Sequence, residues 1–302
     1  MTLTPSVSLP LQETLENRYL AGVSRTFDDR WVVLSMDKTA WPSPERREPL
    51  VPPFKFRVRT HDRAGWCDVF PEMVTDKFYG VAQPLKNGDW LLVQERTHGP
   101  QEPNGDVFDE DGKLVRSVFL DDGIEDVQTS SAGDIWVSYF DEGVFGGGQY
   151  SQCGLVCFAG DGTPRMEFTP DIVERFGISD MISDCYALNV CENGETWTSY
   201  YTDFPIVKLK GINFEKAWTD FPARPIRAFA VSRGRLLLVP AYQKTGPLLL
   251  CDLENRAIGE VELVDSAGKK FEFDKAIGRN ATLGFVCDWN SRHPVLHQFN
   301  FE

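Results

Sequence analysis

Two stretches of the chain repeat one pattern. Tyr79-Gly-Val-Ala-Gln-Pro-Leu-Lys-Asn-Gly-Asp-Trp90 aligns with Tyr186-Ala-Leu-Asn-Val-Cys-Glu-Asn-Gly-Glu-Thr-Trp197, so each has a Tyr eleven residues before a Trp. In both, a mixed apolar and polar run reaches Asn-Gly and then resumes. Asn-Gly between strand-like runs predicts a hairpin, because both turn residues tolerate positive φ. A third copy, Asp126 to Trp136, turns at Gly133, and Trp136-Val-Ser-Tyr-Phe140 repeats as Trp197-Thr-Ser-Tyr-Tyr201. Weaker copies are Arg25 to Trp31, Arg227 to Tyr242 around Arg233-Gly234, and Ala281 to Trp289.

A second hairpin follows the first in each unit. Phe108-Asp-Glu-Asp-Gly112 with Arg116 matches Phe158-Ala-Gly-Asp-Gly162 with Arg165. Asp-Gly between alternating runs is a hairpin signal. Phe54 to Val58, Val207 to Gly211 and Gly246 to Asn255 are further candidates for this position. Two hairpins make four strands in roughly 40 to 60 residues, the period of a propeller blade.

The chain therefore resembles six-bladed β-propellers in general, without the Trp-Asp dipeptide of the common seven-bladed repeats. The resemblance implies an all-β fold: a single β-propeller domain, 1–302, of about six four-stranded blades. The units fall near 20–62, 66–120, 122–168, 182–222, 225–265 and 270–302. Val7 to Leu15 is expected to add a strand to the last unit and cover exposed edges. Thr169 to Phe176 opens with an N-cap residue and Pro, which predicts a short inserted helix. Ala40 to Pro53, Thr97 to Asn104 and Asp141 to Gly154 read as loops.

Such a fold carries an axial channel lined by the innermost strands, expected to begin near Tyr79, Asp126, Tyr186, Arg227 and Arg279. With Asp184, these residues predict a polar mouth. Some propeller hydrolases, such as the gluconolactonase family, hold a divalent cation there. Asp126, Asp184, Asn189 and Gln83 would imitate that ligand set, with calcium or another divalent ion as the cofactor and Asp126 or Asp184 as the catalytic ligand or base. Asp109 to Gly112 lacks the later ligands of a calcium loop and reads as a turn. His293 and His297 lack the zinc-protease pattern. No nucleophile elbow, phosphate loop or dinucleotide fingerprint occurs.

Charge narrows the partners. The 302 residues carry a net charge of −14. That argues against nucleic acid and against an anionic membrane surface. It favours a basic protein partner. Between 106 and 142 stand eleven acids against Lys113 and Arg116. If the turns gather these acids on a rim, Asp121, Asp122, Glu125, Asp126, Asp141 and Glu142 form a docking surface, with Phe140, Phe145 and Tyr150 as aromatic anchors. The leading expectation is a non-enzymatic binding propeller without a cofactor, one version being a bacterial immunity protein that occludes a toxin domain. The alternative is a channel-based enzyme, a metal-assisted hydrolase or a lyase. Seven Cys without a visible export signal or membrane span predict a cytoplasmic location with reduced thiols.

Overall fold

The computed structural model describes residues 2–37, 52–97, 99, 101–169, 172, 174, 177, 181–222 and 224–301. Most of the predicted 169–176 helix and of the 40–53 loop falls outside these residues. The chain forms six β-sheets arranged as blades of a propeller. Blade 1 holds Tyr19–Arg25, Trp31–Met36, Phe54–Asp62 and Gly65–Asp68, so its fourth strand lies beyond the boundary expected at residue 62. Blade 2 holds Val81–Pro84, Trp90–Val93, Gly105–Phe108 and Leu114–Val118. Blade 3 holds Ile124–Thr129, Asp134–Tyr139, Leu155–Ala159 and Pro164–Glu167. Blade 4 holds Asp184–Val190, Glu195–Tyr201, Ile206–Lys210 and Asn213–Trp218. Blade 5 holds Ile226–Ser232, Arg235–Pro240, Leu248–Asp252 and Ala257–Leu263. Blade 6 holds Lys275–Arg279, Thr282–Cys287 and Val295–Asn300.

The start of the chain completes the ring. Val7–Pro10 pairs antiparallel with Val295–Asn300 as the fourth strand of blade 6. Thr2–Leu3 adds in parallel to the outer strand of blade 5 at Glu262 and Leu263. One segment thus covers the outer edges of two adjacent blades, edges that otherwise invite pairing with other chains.

The inner hairpins turn differently from the two-residue form that Asn-Gly suggests. Gly88 and Gly194 have φ of 94° and 78°, but their preceding Asn residues do not have positive φ. Leu85 N–H bonds to Asp89 O at 2.7 Å and Gly88 N–H to Leu85 O at 3.0 Å. The turn is therefore longer, and only its last bend needs glycine. Asp109 at the outer turn of blade 2 accepts from the backbone N–H of Asp111 and Lys113, as a turn residue does.

Six apolar clusters fill the six interfaces between neighbouring blades. Alternation sends one face of each strand to each neighbour, which is why the second strands of blades 1, 2, 3 and 6 are buried along their whole length. All seven cysteines are unbridged. No described helix is long and apolar enough to cross a membrane.

Candidate functional site

Every inner strand runs from one face of the ring, here the upper face, towards the other. The turns after the first and third strands of a blade lie at the lower face, and the remaining connections lie at the upper. This topology divides the eleven acids of residues 106–142. Asp121, Asp122, Glu125, Asp126, Asp141 and Glu142 are on the upper face. Asp109, Glu110, Asp111 and Asp134 flank lower turns. Asp106 is buried, bonded to Tyr79 Oη and Ser117 Oγ at 2.5 Å and paired with Lys77 at 2.9 Å. The six acids expected at the docking surface thus share one face, and the other five acids of this stretch lie elsewhere.

Several upper-face acids also have structural work. Asp121 is buried and accepts N–H bonds from Asp122, Tyr150 and Ser151. Asp122 and Glu142 both pair with Arg96, at 3.1 and 2.5 Å. Arg96 also lies 5.4 Å from the ring centre of Phe140. Tyr150 packs against Phe119 and Phe158 and is half-buried. Of the predicted anchors, Phe145 stands out in solvent, 74% exposed.

The channel itself has a plug. Gln128 Nε2 donates to Asp126 Oδ2, Leu188 O and Gly278 O at 2.9, 3.0 and 3.1 Å. Its Oε1 accepts from Val190 N–H at 2.9 Å and from Arg279 at 3.2 Å. Arg279 also bonds to Thr129 O, and burial lowers its pKa to about 10. Arg279, expected at the channel mouth, lies instead at the far end of its strand, because the inner strand of blade 6 begins at Lys275. Tyr79 is likewise outside the channel; its ring packs between Phe56 and Phe108 in the core shared by blades 1 and 2. Gln83 does enter the channel, where Nε2 donates to Arg25 O at 3.2 Å.

Above the plug, Glu125, Asp184, Tyr186, Arg227, Tyr242 and Lys275 help to line a cavity of about 490 Å³. Irregular pairing builds this mouth. The register shifts between Ile124 and Asp126, between Asp184 and Ala187, and between Ile226 and Ala228. An extra residue in a strand re-aims its side chain, and Glu125, Tyr186 and Arg227 occupy those irregular positions.

Glu125 and Asp184 line the mouth, and these two together with the nearby Asp126 and Glu95 are all biased towards protonation. Burial, then the charge of Asp126, pushes Glu125 up to about 7, with Lys275 opposing. Its side chain is nevertheless exposed on the surface, so solvent screens part of this effect. Burial and then Asp141 push Asp184 up to about 6, opposed only by a hydrogen bond from Tyr186. Glu95 and Asp126 are raised mainly by burial. The sequence pattern does not single out Glu95 or Lys275. No cation lies within ion-pair distance of Glu125, Asp126 or Asp184 among the described residues.

The suggested metal set does not assemble. Asn189 is near the far end of its strand, with Nδ2 donating to Phe229 O at 2.7 Å and Oδ1 accepting from Asn280 N–H at 2.8 Å. Among the described residues, no three His, Cys, Asp or Glu side chains form a metal-holding group. His293 and His297 bond separately, to Gln12 and Ser8.

The sequence profile of the YxzG family matches residues 155–287. No curated protein sequence matches the chain. Among solved structures, it is similar to a catalytically inactive variant of virginiamycin B lyase from Staphylococcus aureus with quinupristin. Identity is 11%, the TM-score is 0.53, and 98% of this chain and 99% of that one are covered. Hsv2 of Kluyveromyces lactis matches with 11% identity and a TM-score of 0.53, over 94% and 75% of the two chains. A chain of the nidogen/laminin complex matches with 10% identity and a TM-score of 0.50, over 80% of each. At these identities the likeness is one of fold, and fold alone does not carry function.

Proposed function

We propose that this is a binding propeller whose upper face docks a basic protein partner and draws one of its cationic groups into the channel mouth. The observation that carries the reading is a mouth lined by Glu125 and Asp184 beside Arg227 and Lys275, on a face that also carries exposed apolar side chains. Phe145, Met181, Tyr201 and Tyr242 are 74%, 46%, 46% and 77% exposed. All four lie in or next to upper-face connections, by the topology above. Exposed aromatic rings beside charged groups are typical of binding energy concentrated at a few anchors. Asp184 faces a second carboxylate and no offsetting cation, so a basic group would relieve repulsion as well as bring attraction. A basic toxin domain held inactive is one concrete form of the partner.

The test is native co-purification at low salt with the wild-type chain, Asp184→Asn, Glu125→Gln and Asp122→Asn. A partner retained by Asp122→Asn, lost from the two mouth variants and weakened by salt supports docking at the mouth. A partner indifferent to Asp184 and Glu125 overturns it.

A second reading has its own observation. A carboxyl group near 7, as at Glu125, suits proton transfer at neutral pH, and Asp184 beside it is near 6. The pair would serve a lyase or hydrolase that needs no metal. Glu125→Gln would then abolish turnover of a ligand while leaving its binding intact.

A further inference from the structure

We infer that bulges in the outer strands of blades 2, 3 and 4 keep copies of this chain from joining edge to edge, which leaves the two faces of the ring for docking. Leu114–Val118, Pro164–Glu167 and Asn213–Trp218 end the sheets of these blades, with no further strand beside them among the described residues. Each carries one residue too many for its partner. Val107 pairs with Arg116 and Phe108 with Leu114, so Val115 is left over. Cys157 pairs with Met166 and Phe158 with Pro164, so Arg165 is left over. Lys208 pairs with Lys216 and Leu209 with Phe214, so Glu215 is left over. The three bulges fall at one place in the blade, since Val107, Cys157 and Lys208 are each the third residue of their strand.

The other outer edges are treated differently. In blade 5 the third residue of the equivalent strand, Leu250, pairs with Gly259, and the ladder runs from Leu248 and Val261 to Asp252 and Ala257 without a shift. That edge is the one to which Thr2–Leu3 adds. In blade 6, Val295–Asn300 is regular against both of its neighbours, one of which is the covering strand Val7–Pro10. In blade 1 the edge is divided into two short pieces, Gly65–Asp68 beside Arg59 to Asp62 and Met73–Thr75 beside Phe54 to Phe56. Short pieces, covering segments and bulges are alternative ways to blunt an edge. Here the bulges stand on the three edges that have neither of the other two.

Turn length does not dictate them. The outer hairpins of blades 2 and 3 close with Asp109 N–H on Lys113 O and Ala159 N–H on Thr163 O, around three residues, whereas that of blade 4 closes at Lys210 opposite Asn213, around two. All three are bulged at the same place. Blade 5 turns between Asp252 and Ala257, around four residues, and its ladder is straight. A bulge bends its strand and puts the backbone groups out of step with a straight partner. The need is greatest in blade 2, where Leu114 and Val115 are each 51% exposed.

The experiment removes the extra residue. Chains lacking Val115, lacking Glu215 and lacking both are compared with wild type and with Val115→Thr, which keeps the bulge. Light scattering across a dilution series reads mass, and near-UV circular dichroism reads packing. Wild type and Val115→Thr should hold the monomer mass throughout, while the folded deletion chains should rise at least about twofold in mass on concentration. Deletion chains that pack as wild type and stay monomeric overturn the inference. Where a deletion prevents folding, amide hydrogen exchange of the wild-type chain at low and high concentration decides. Protection of residues 114–118, 164–167 and 213–218 that is unchanged by concentration supports the inference, and protection that grows with concentration overturns it.

Discussion

Arg279 Nη1 donates to Gln128 Oε1 at 3.2 Å across a sequence separation of 151 residues. The bond ties blade 6 to blade 3 through the axis, and Gln128 reaches blade 4 as well at Leu188 O and Val190 N–H. Three blades therefore share one buried carboxamide. Removing it takes a hydrogen-bond partner from Asp126 Oδ2, from the Arg279 guanidinium and from the backbone of blade 4 at once. Gln128→Ala should destabilise the fold by about 3 kcal/mol, because stranded buried polar groups lose their solvation as well as the bond. Urea unfolding measures this, and a loss under about 1 kcal/mol, the net worth of a single ordinary hydrogen bond, would show the plug to be dispensable.

The acids of the mouth give stability a definite pH trend. Glu125 and Asp184 have pKa values of about 7 and 6 in the folded protein, above their ordinary values of 4.5 and 3.8. The folded state thus binds more protons than the unfolded state between these limits, and stability falls as pH rises through them. Below the unfolded values the favourable contribution is complete; above the folded value of Glu125 it is lost. Glu125→Gln, which cannot ionise, should raise the melting temperature at about pH 8 relative to wild type by on the order of 2 °C. The gain should vanish at about pH 4, where the unfolded chain is protonated as well. A gain independent of pH would assign the effect to packing.

Gly80 makes room for Glu95. A Cβ built at Gly80 would stand 2.8 Å from the Glu95 Cδ and Oε1 atoms. Gly80→Ala should therefore push that carboxyl out of place at little cost to stability, because what the new Cβ meets is the far end of a flexible side chain. In this variant the Glu125 titration, followed by NMR, should fall below the wild-type value as one neighbouring acid moves away. An unshifted Glu125 would place Glu95 outside the electrostatic group.

The ring was legible because its turns are chemically marked, while the mouth was obscured by irregularities that leave no such mark. Tyr79 and Tyr186 occupy the same place in the repeat, yet one packs in the core and the other lines the cavity. The inner strand of blade 4 is irregular between Asp184 and Ala187, whereas that of blade 2 begins only at Val81. A one-residue change reverses the facing of a side chain. Lys275 escapes notice because its hairpin turns at Asn280, with φ of 50°, instead of at a glycine. The strand before that turn then lacks its usual signal. Glu95 and Glu125 come together only through packing of blades 2 and 3, which spacing along the chain does not express.

Closure by the N-terminal segment yields a prediction about association as well as stability. Val7–Pro10 forms the outer strand of blade 6, with Leu9 and Leu11 buried in the cluster between blades 6 and 1. Removing residues 2–11 takes away those side chains and bares the edge of Val295–Asn300. The same deletion uncovers Ala257–Leu263 of blade 5. Loss of two buried leucines alone should cost about 4 kcal/mol or more, and unpaired edges favour pairing between molecules. The truncated chain should melt lower and show concentration-dependent oligomers by light scattering. Leu9→Ala keeps the strand and removes apolar contact, so it should lower the melting temperature while the chain stays in its wild-type association state. If both variants associate equally, buried contact governs closure; if only the truncation does, the backbone edge is the decisive element.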